Sequence, residues 1–195
     1  MRKCIESDKD KVISIISEAF DSNPSVNRVI KNDQNRKERI RALSDYAFKT
    51  AISRQGVYIS SDEEGVAICY KYNHKKNGVL DYWNQLLLVV KAIGINRVWN
   101  IMKRDSFINA QRPKSGDYLY FWFFGVTNKG KGQIAAKELK DLIFKESLTS
   151  GLPIYLETSV LKNKRVYERY QFETYYEWID EKSNDILWFM RKMPQ

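Results

Sequence analysis

Two short stretches of the chain hold residue types that could do chemistry together. The first is "GVTNKGKGQIA", residues 125–135, where a strand gives way to a helix across a loop with Lys129, Gly130, Lys131 and Gly132. The first amides of a helix lack intrahelical partners and sit at the positive end of its dipole, so they suit an anion. The two glycines let backbone approach a ligand closely and the two lysines add positive charge. That surface fits a phosphate or pyrophosphate; the bland alternative is a tight turn decorated with lysines. The loop has neither G-x-G-x-x-G nor a Walker lysine followed by Ser or Thr, so dinucleotide-fold and NTPase readings are poor. The second stretch is "LETSVLKNKRVYERYQFE", residues 156–173. An apolar strand stops at Thr158-Ser159, Asn163 follows, and Tyr167 is presented on a short helix.

Other chemistries find little support. The one histidine, His74, stands beside Lys75-Lys76 in a polar stretch and reads as a solvated loop residue, against a His-based metal cluster. Cys4 and Cys69 have no metal or redox spacing, so a reducing cytoplasm is the expected location. The longest aliphatic run, residues 86–90, is far too short to cross a bilayer, and the charged start leaves no room for a signal peptide's apolar segment. The formal charge of +9 favours an anionic partner: nucleic acid, an acidic membrane surface or a phosphate-bearing cofactor. Charge alone does not choose among them.

The elements that would position the two stretches follow from periodicity. A chain of 195 residues fits one domain, residues 1–195, with an insertion at 77–112. "RKCIES" reads as a first strand, and Ser7 with Asp10 three residues on suggests an approximate capping box. Val12, Ile13, Ile16, Ala19 and Phe20 then recur at helical spacing. "DSNPS" breaks that helix, "SVNRVIK" makes a short second one, and Ile40, Leu43, Ala47 and Ala51 stripe a third. "GVYIS" and "GVAICYKYN" form a hairpin. The insertion reads as helical, divided at Gly94. "YLYFWFFGV", residues 118–126, is apolar on both faces and should be the central strand. Ala135, Leu139, Leu142 and Ile143 stripe the helix after the loop, and "FETYYEWI" with "DILWFMRKM" closes the chain as a hairpin. The result is a mixed α/β fold.

In this order, the loop-helix and the Asn-Tyr segment resemble the Gcn5-related N-acetyltransferase (GNAT) superfamily over about residues 116–175. "FFGVTNKGKGQIAAKEL" is similar to that family's acetyl-CoA segment, and Asn163, Tyr167 and Phe172 match its Asn-x-x-x-Tyr-x-x-x-Gly-Phe pattern, with Gln171 in place of the glycine. The family's Arg/Gln-x-x-Gly-x-Gly/Ala loop fits in two registers, one led by Lys131 and one by Lys129; each loses one small residue. The resemblance implies a central mixed, mostly antiparallel sheet splayed between strands 4 and 5, flanked by helices, with the helical insertion between strands 3 and 4. It implies acetyl-CoA as co-substrate, bound by Phe124, Gly125, Val126, Lys129, Gly130, Lys131, Gly132, Gln133, Ile134, Ala135, Asn163 and Tyr167, with no metal. Tyr167 would protonate the departing thiolate, since a phenol with a reference pKa of about 10 stays protonated at neutral pH. Glu157 is the candidate general base, with a structural role or loss of the amine proton to water as the alternatives.

The implied activity is N-acetylation of an amine by direct attack. The insertion resembles that of puromycin-acetyltransferase-like members and tilts the acceptor towards a small molecule. Trp83, Leu86, Leu87, Val90, Ile93 and Trp99 could lid the acceptor pocket, form a homodimer surface or cap the sheet; Phe20 to Pro24 is a further acceptor-side candidate. Two other readings stand beside this one. A CoA-binding regulatory protein of the same fold would explain the irregular loop. A basic nucleic-acid-binding module would explain the charge, but the aromatic strand carries no interleaved basic residue and no RNP, KH or zinc signature is present. No membrane partner is expected.

Overall fold

A computed structural model describes residues 1–74, 84–85, 87–94, 98–114, 116–130, 134–180 and 185–195. Its strands are β1 (Arg2–Lys3), β2 (Val57–Ile59), β3 (Gly65–Lys71), β4 (Leu119–Val126), β5 (Ile154–Thr158), β6 (Glu173–Asp180) and β7 (Asp185–Lys192). Its helices are α1 (Lys9–Ala19), α2 (Pro24–Val29), α3 (Arg36–Ile52), α4 (Val98–Gln111), α5 (Ile134–Ser150) and α6 (Leu161–Arg169). The described strands form one sheet in the order β1-β2-β3-β4-β5-β7-β6, so the aromatic run is central, as its composition predicts. Every pairing is antiparallel except β4 with β5.

Both faces of β4 are covered, which is why no polar residue interrupts it. On one side Val12 and Ile16 of α1 and Ala47 and Phe48 of α3 pack against Tyr118, Tyr120 and Phe123. On the other, Leu139 and Ile143 of α5 pack against Leu119, Phe121, Ile154 and Leu156. Each large side chain removed from water this way contributes about 1.5–3 kcal/mol before the entropy of ordering it.

The alternation along β4 slips once. Opposite β3, Ile68 faces Phe123 and Cys69 faces Phe121, so Trp122 is an extra residue in β4. Tyr118, Tyr120 and Phe123 therefore share one face while Leu119, Phe121 and Phe124 share the other. A bulge of this kind bends its strand.

The insertion contains a π-helical turn, Val89–Ile93, ended by Gly94 in the left-handed region at φ 82°, and then α4. Gly94 thus divides it where the sequence suggests. Asn23 caps α2 by accepting from the amide of Ser25 at 2.9 Å, with Pro24 at the first helical position.

The chain start departs from expectation. β1 is only two residues long, and the Ser7 box does not form. Instead a 3-10 turn, Glu6–Asp8, leads into α1, and the Asp8 carboxylate accepts from the Ile5 amide at 2.8 Å and from both terminal guanidinium nitrogens of Arg2 at 2.6 Å. A bidentate arginine satisfies a carboxylate better than a serine hydroxyl satisfies one amide. The Arg2 hydrogen bonds hold the Asp8 pKa down at about 2. Because this pKa lies below its unfolded value of about 3.9, the stabilisation is complete above that value and fades as pH falls towards 2. Asp8→Asn should therefore lower the unfolding midpoint at neutral pH, with the gap to wild type closing in acid melts; a gap constant with pH would contradict the pairing.

Candidate active site

Strands β4 and β5 are hydrogen-bonded over two rungs only, Leu119–Ile154 and Tyr120–Tyr155. Beyond Tyr120 they diverge, directly before the Trp122 bulge, so the expected splay is present. The backbone groups that face the gap follow from the β3 ladder. Thr127 donates its amide to the Glu64 carbonyl at 2.9 Å, on the β3 side. In an antiparallel ladder successive residues turn their backbone groups to opposite sides. Gly125 and Phe123 therefore bond towards β3, while Phe124 and Val126 turn their N–H and C=O into the gap.

The loop after β4 is braced from beneath. The Thr127 hydroxyl bonds the Glu64 carboxylate and accepts from the Gly130 amide at 3.1 Å. A Cβ on Gly130 would lie 2.7 Å from both Glu64 Cβ and Val126 Cγ1, so the loop can pass this close only as glycine. Gly125 is equally tight: a Cβ there would meet Ala19 Cβ at 2.7 Å. Lys129 is exposed, and the Asn128 amide donates to Glu18 at 2.8 Å. Lys131, Gly132 and Gln133 lie outside the described residues. At the start of α5, Ile134 is exposed and Ala135 is buried. The opening amides of this helix lack helical partners, as any helix start does.

Asn163 and Tyr167 are four residues apart on α6 and so share a face. Both line a cavity of about 630 Å³ that also takes in Phe124 and Glu157. The Tyr167 ring packs 5.4 Å from Phe172 and 6.3 Å from Phe121, and its hydroxyl has no hydrogen-bond partner among the described residues. Burial pushes its pKa up to about 12. It is a protonated donor facing open space.

The far wall of the cavity is the insertion, through Leu88, Val89, Ile93, Ile101, Asp105 and Ile108. Among the residues expected to lid the pocket, Ile93 does line it. Trp99 stands outside, 72% exposed, and Leu87 faces a separate groove against α1 and α3. Trp83, Leu86 and the side chain of Val90 lie outside the described residues. Phe20 and Asn23 line the cavity. Ser25 and Ser159 join their hydroxyls at 2.8 Å, tying the start of α2 to the loop after β5.

Glu157 stands at the fork, but both of its oxygens are engaged. Arg112 forks onto them, Nε to Oε1 at 2.7 Å and Nη2 to Oε2 at 3.0 Å, and the Tyr120 hydroxyl donates to Oε2 at 2.8 Å. The guanidinium lies 4.0 Å over the Tyr120 ring and also donates to the Asn109 side chain at 2.7 Å. Burial opposes its charge, yet the Tyr120 and Glu157 oxygens more than offset this and hold its pKa above the usual arginine value. Sequence reasoning singled out Glu157 but missed Arg112, Tyr120, Asn109 and Asp105. A lone arginine just past a helix has no local signature, and its partner is 45 residues away. Among the described residues, no group of three or more His, Cys, Asp or Glu side chains could hold a metal ion, and no helix is long and apolar enough to cross a membrane.

Comparison with known proteins gives the fold a family. No protein-family model matches the chain. An uncharacterized N-acetyltransferase of Schizosaccharomyces pombe is 32% identical over 68 residues, which is 35% of this chain and 28% of the yeast protein. The chain thus matches well under two thirds of that relative's length. Among solved structures, arylalkylamine N-acetyltransferase 2 of Aedes aegypti aligns with 100% of the chain and 98% of its own at TM-score 0.72 and 15% identity. Histone acetyltransferase HPA2 and related acetyltransferase from Corynebacterium glutamicum aligns over 100% and 95% at 0.70 and 18%. An acetyltransferase of the GNAT family from Desulfovibrio desulfuricans aligns over 100% and 98% at 0.56 and 10%. The chain has the fold of the Gcn5-related N-acetyltransferases, with its sheet, its splay and its helices in that arrangement.

The Arg112–Glu157 pair is 8% and 10% exposed. Removing one member of a buried pair strands the other and costs about 3–5 kcal/mol. Arg112→Met should show that loss in chemical denaturation, and Arg112→Met with Glu157→Gln should recover most of it. A double variant no more stable than the single one would contradict the pairing.

Proposed function

We propose that the chain is an acetyl-CoA-dependent N-acetyltransferase that acts on the amine of a small molecule by direct attack. The observation that carries this reading is the two-rung contact between β4 and β5, which opens into a cavity walled on one side by the insertion. A cleft narrowed by its own insertion suits a small acceptor better than a folded protein surface. The site residues fit the donor. The gap offers Phe124 and Val126 backbone groups to the amides of a pantetheine arm, and Gly130 lets the loop pack tightly on Glu64 and Val126, fixing its path beside the start of α5. When bound, acetyl-CoA supplies the activated acetyl group as a thioester.

The protein's contribution is then placement and hydrogen bonding. A backbone N–H in the gap donates to the carbonyl oxygen where negative charge develops. The cavity holds the acceptor nitrogen against the same point. Tyr167 donates its hydroxyl hydrogen to the departing sulfur. With a pKa near 12 it is a weaker acid than a thiol, whose reference value is about 8.5, so it stabilises the thiolate chiefly as a hydrogen-bond donor. Asn163, one turn earlier on the same face, binds the cofactor arm or a nearby backbone group. Glu157, held by Arg112 and Tyr120, shapes the fork in preference to taking a proton, and the amine loses its proton to cavity water.

Free-thiol release from acetyl-CoA across an amine panel tests this. Tyr167→Phe should lower kcat about a hundredfold with cofactor affinity nearly kept; unchanged turnover would remove Tyr167 from its role. Tight CoA binding with no thiol release from any amine would favour a regulatory CoA-binding protein. Separately, Gly130→Ala should weaken CoA binding about tenfold by calorimetry, and undiminished binding would place the diphosphate elsewhere.

A further inference from the structure

One face of α4 runs from the fork along the wall of the cavity to exposed Asp105. Ile108, Asn109 and, just past the helix end, Arg112 stand three, four and seven residues on from Asp105 and so fall along one side. Asp105, Ile108 and Arg112 all line the cavity. Arg112 marks the fork end. Asp105 is seven residues away, about 10 Å along the helical axis at 1.5 Å per residue.

Two carboxylates line this cavity among the described residues, Glu157 and Asp105. Glu157 already accepts three hydrogen bonds and is paired with Arg112. Asp105 accepts one hydrogen bond, from Asn109 Nδ2 to Oδ2 at 3.1 Å, and has no ion-pair partner among the described residues. That bond is directional. The Asn109 oxygen is already taken by Arg112 at 2.7 Å and by the Tyr72 hydroxyl at 3.3 Å, so its amide nitrogen must donate to Asp105. Asp105 is thereby held as an acceptor, and its other oxygen accepts no hydrogen bond among the described residues. The neighbouring cation, Arg104, also lines the cavity and favours the charged form of Asp105, while its guanidinium stacks on the Trp178 ring at 5.7 Å. Asp105 is exposed, yet the surrounding protein desolvates it enough to raise its pKa. Arg112 and Arg104 act on it electrostatically, but neither forms an ion pair with it among the described residues, so its carboxylate can still take up a cation.

We propose that Asp105 anchors a second cationic group of the acceptor, so that the preferred acceptors are diamines with an apolar spacer. The inference rests on the acetyltransferase reading above. The reacting nitrogen sits at the fork, the spacer runs past Ile108 and the aromatic wall of β4, and the distal ammonium pairs with Asp105. Reaction at the fork needs a neutral nitrogen, whereas the distal one keeps its charge. The two nitrogens therefore meet different environments.

The test compares kcat/KM for octylamine and for α,ω-diamines from putrescine to octamethylenediamine. The diamines should be preferred, with an optimum among the longer ones. Asp105→Asn should lower the diamine-to-monoamine ratio of kcat/KM about tenfold or more, as loss of a charged hydrogen bond does. Asp105→Glu, which reaches further by one methylene, should keep the preference and move the optimum to a shorter diamine. A ratio unchanged in Asp105→Asn, or no preference for diamines in wild type, would overturn the assignment. If no amine is acetylated, the parent reading fails instead. Calorimetric binding of octamethylenediamine then decides this site alone: weaker binding to Asp105→Asn supports it and equal binding overturns it.

Discussion

The structure turns on the early end of one hydrogen-bond ladder. A parallel pair in the middle of a seven-stranded sheet would ordinarily run its full length, because each unpaired backbone group away from water is costly. Here it stops after Tyr120–Tyr155, leaving the backbone of Phe124 and Val126 facing open space. The ladder ends just before the Trp122 bulge, and the Arg112–Glu157–Tyr120 cluster links the side chains of the two strands at the crotch. An open edge inside a sheet is a template for an extended partner bearing amides, and a strand-like ligand can complete it.

The insertion turns this fork into a chamber. Without it, the gap would be a groove on the sheet. With it, Leu88, Ile93 and Ile108 form an opposite wall, and Arg112 fastens the end of that wall to β5. On the proposed function, one side of the chamber would take the cofactor arm and the other the acceptor. The same guanidinium serves both sides, since it orients Glu157 at the fork and Asn109 on α4.

Much of this was legible in the sequence, for stated physical reasons. Residues 118–126 read as a central strand because both faces are covered, and Asn163 with Tyr167 share a face because they are four apart on a helix. The slip at Trp122 was not legible: a bulge shows as broken alternation only where polar and apolar residues contrast, and this run has no contrast. Ser7 looked like the helix cap because local spacing favours it, but Arg2 and Asp8, folded together, offered stronger bonds. The acceptor wall was visible as helical and apolar, yet Trp99 proved to face outward and Asp105 and Arg112 were not singled out. Arg112 takes its role from Glu157 across the chain, and for Asp105 a single sequence shows spacing along a helix but not the cavity that stands opposite.

The most direct test of the fork as the cofactor channel is amide hydrogen exchange measured with and without CoA. The account predicts that the Phe124 and Val126 amides become protected on binding while Gly125, already bonded towards β3, changes little. Unaltered exchange at Phe124 and Val126 in a CoA-saturated protein would contradict it.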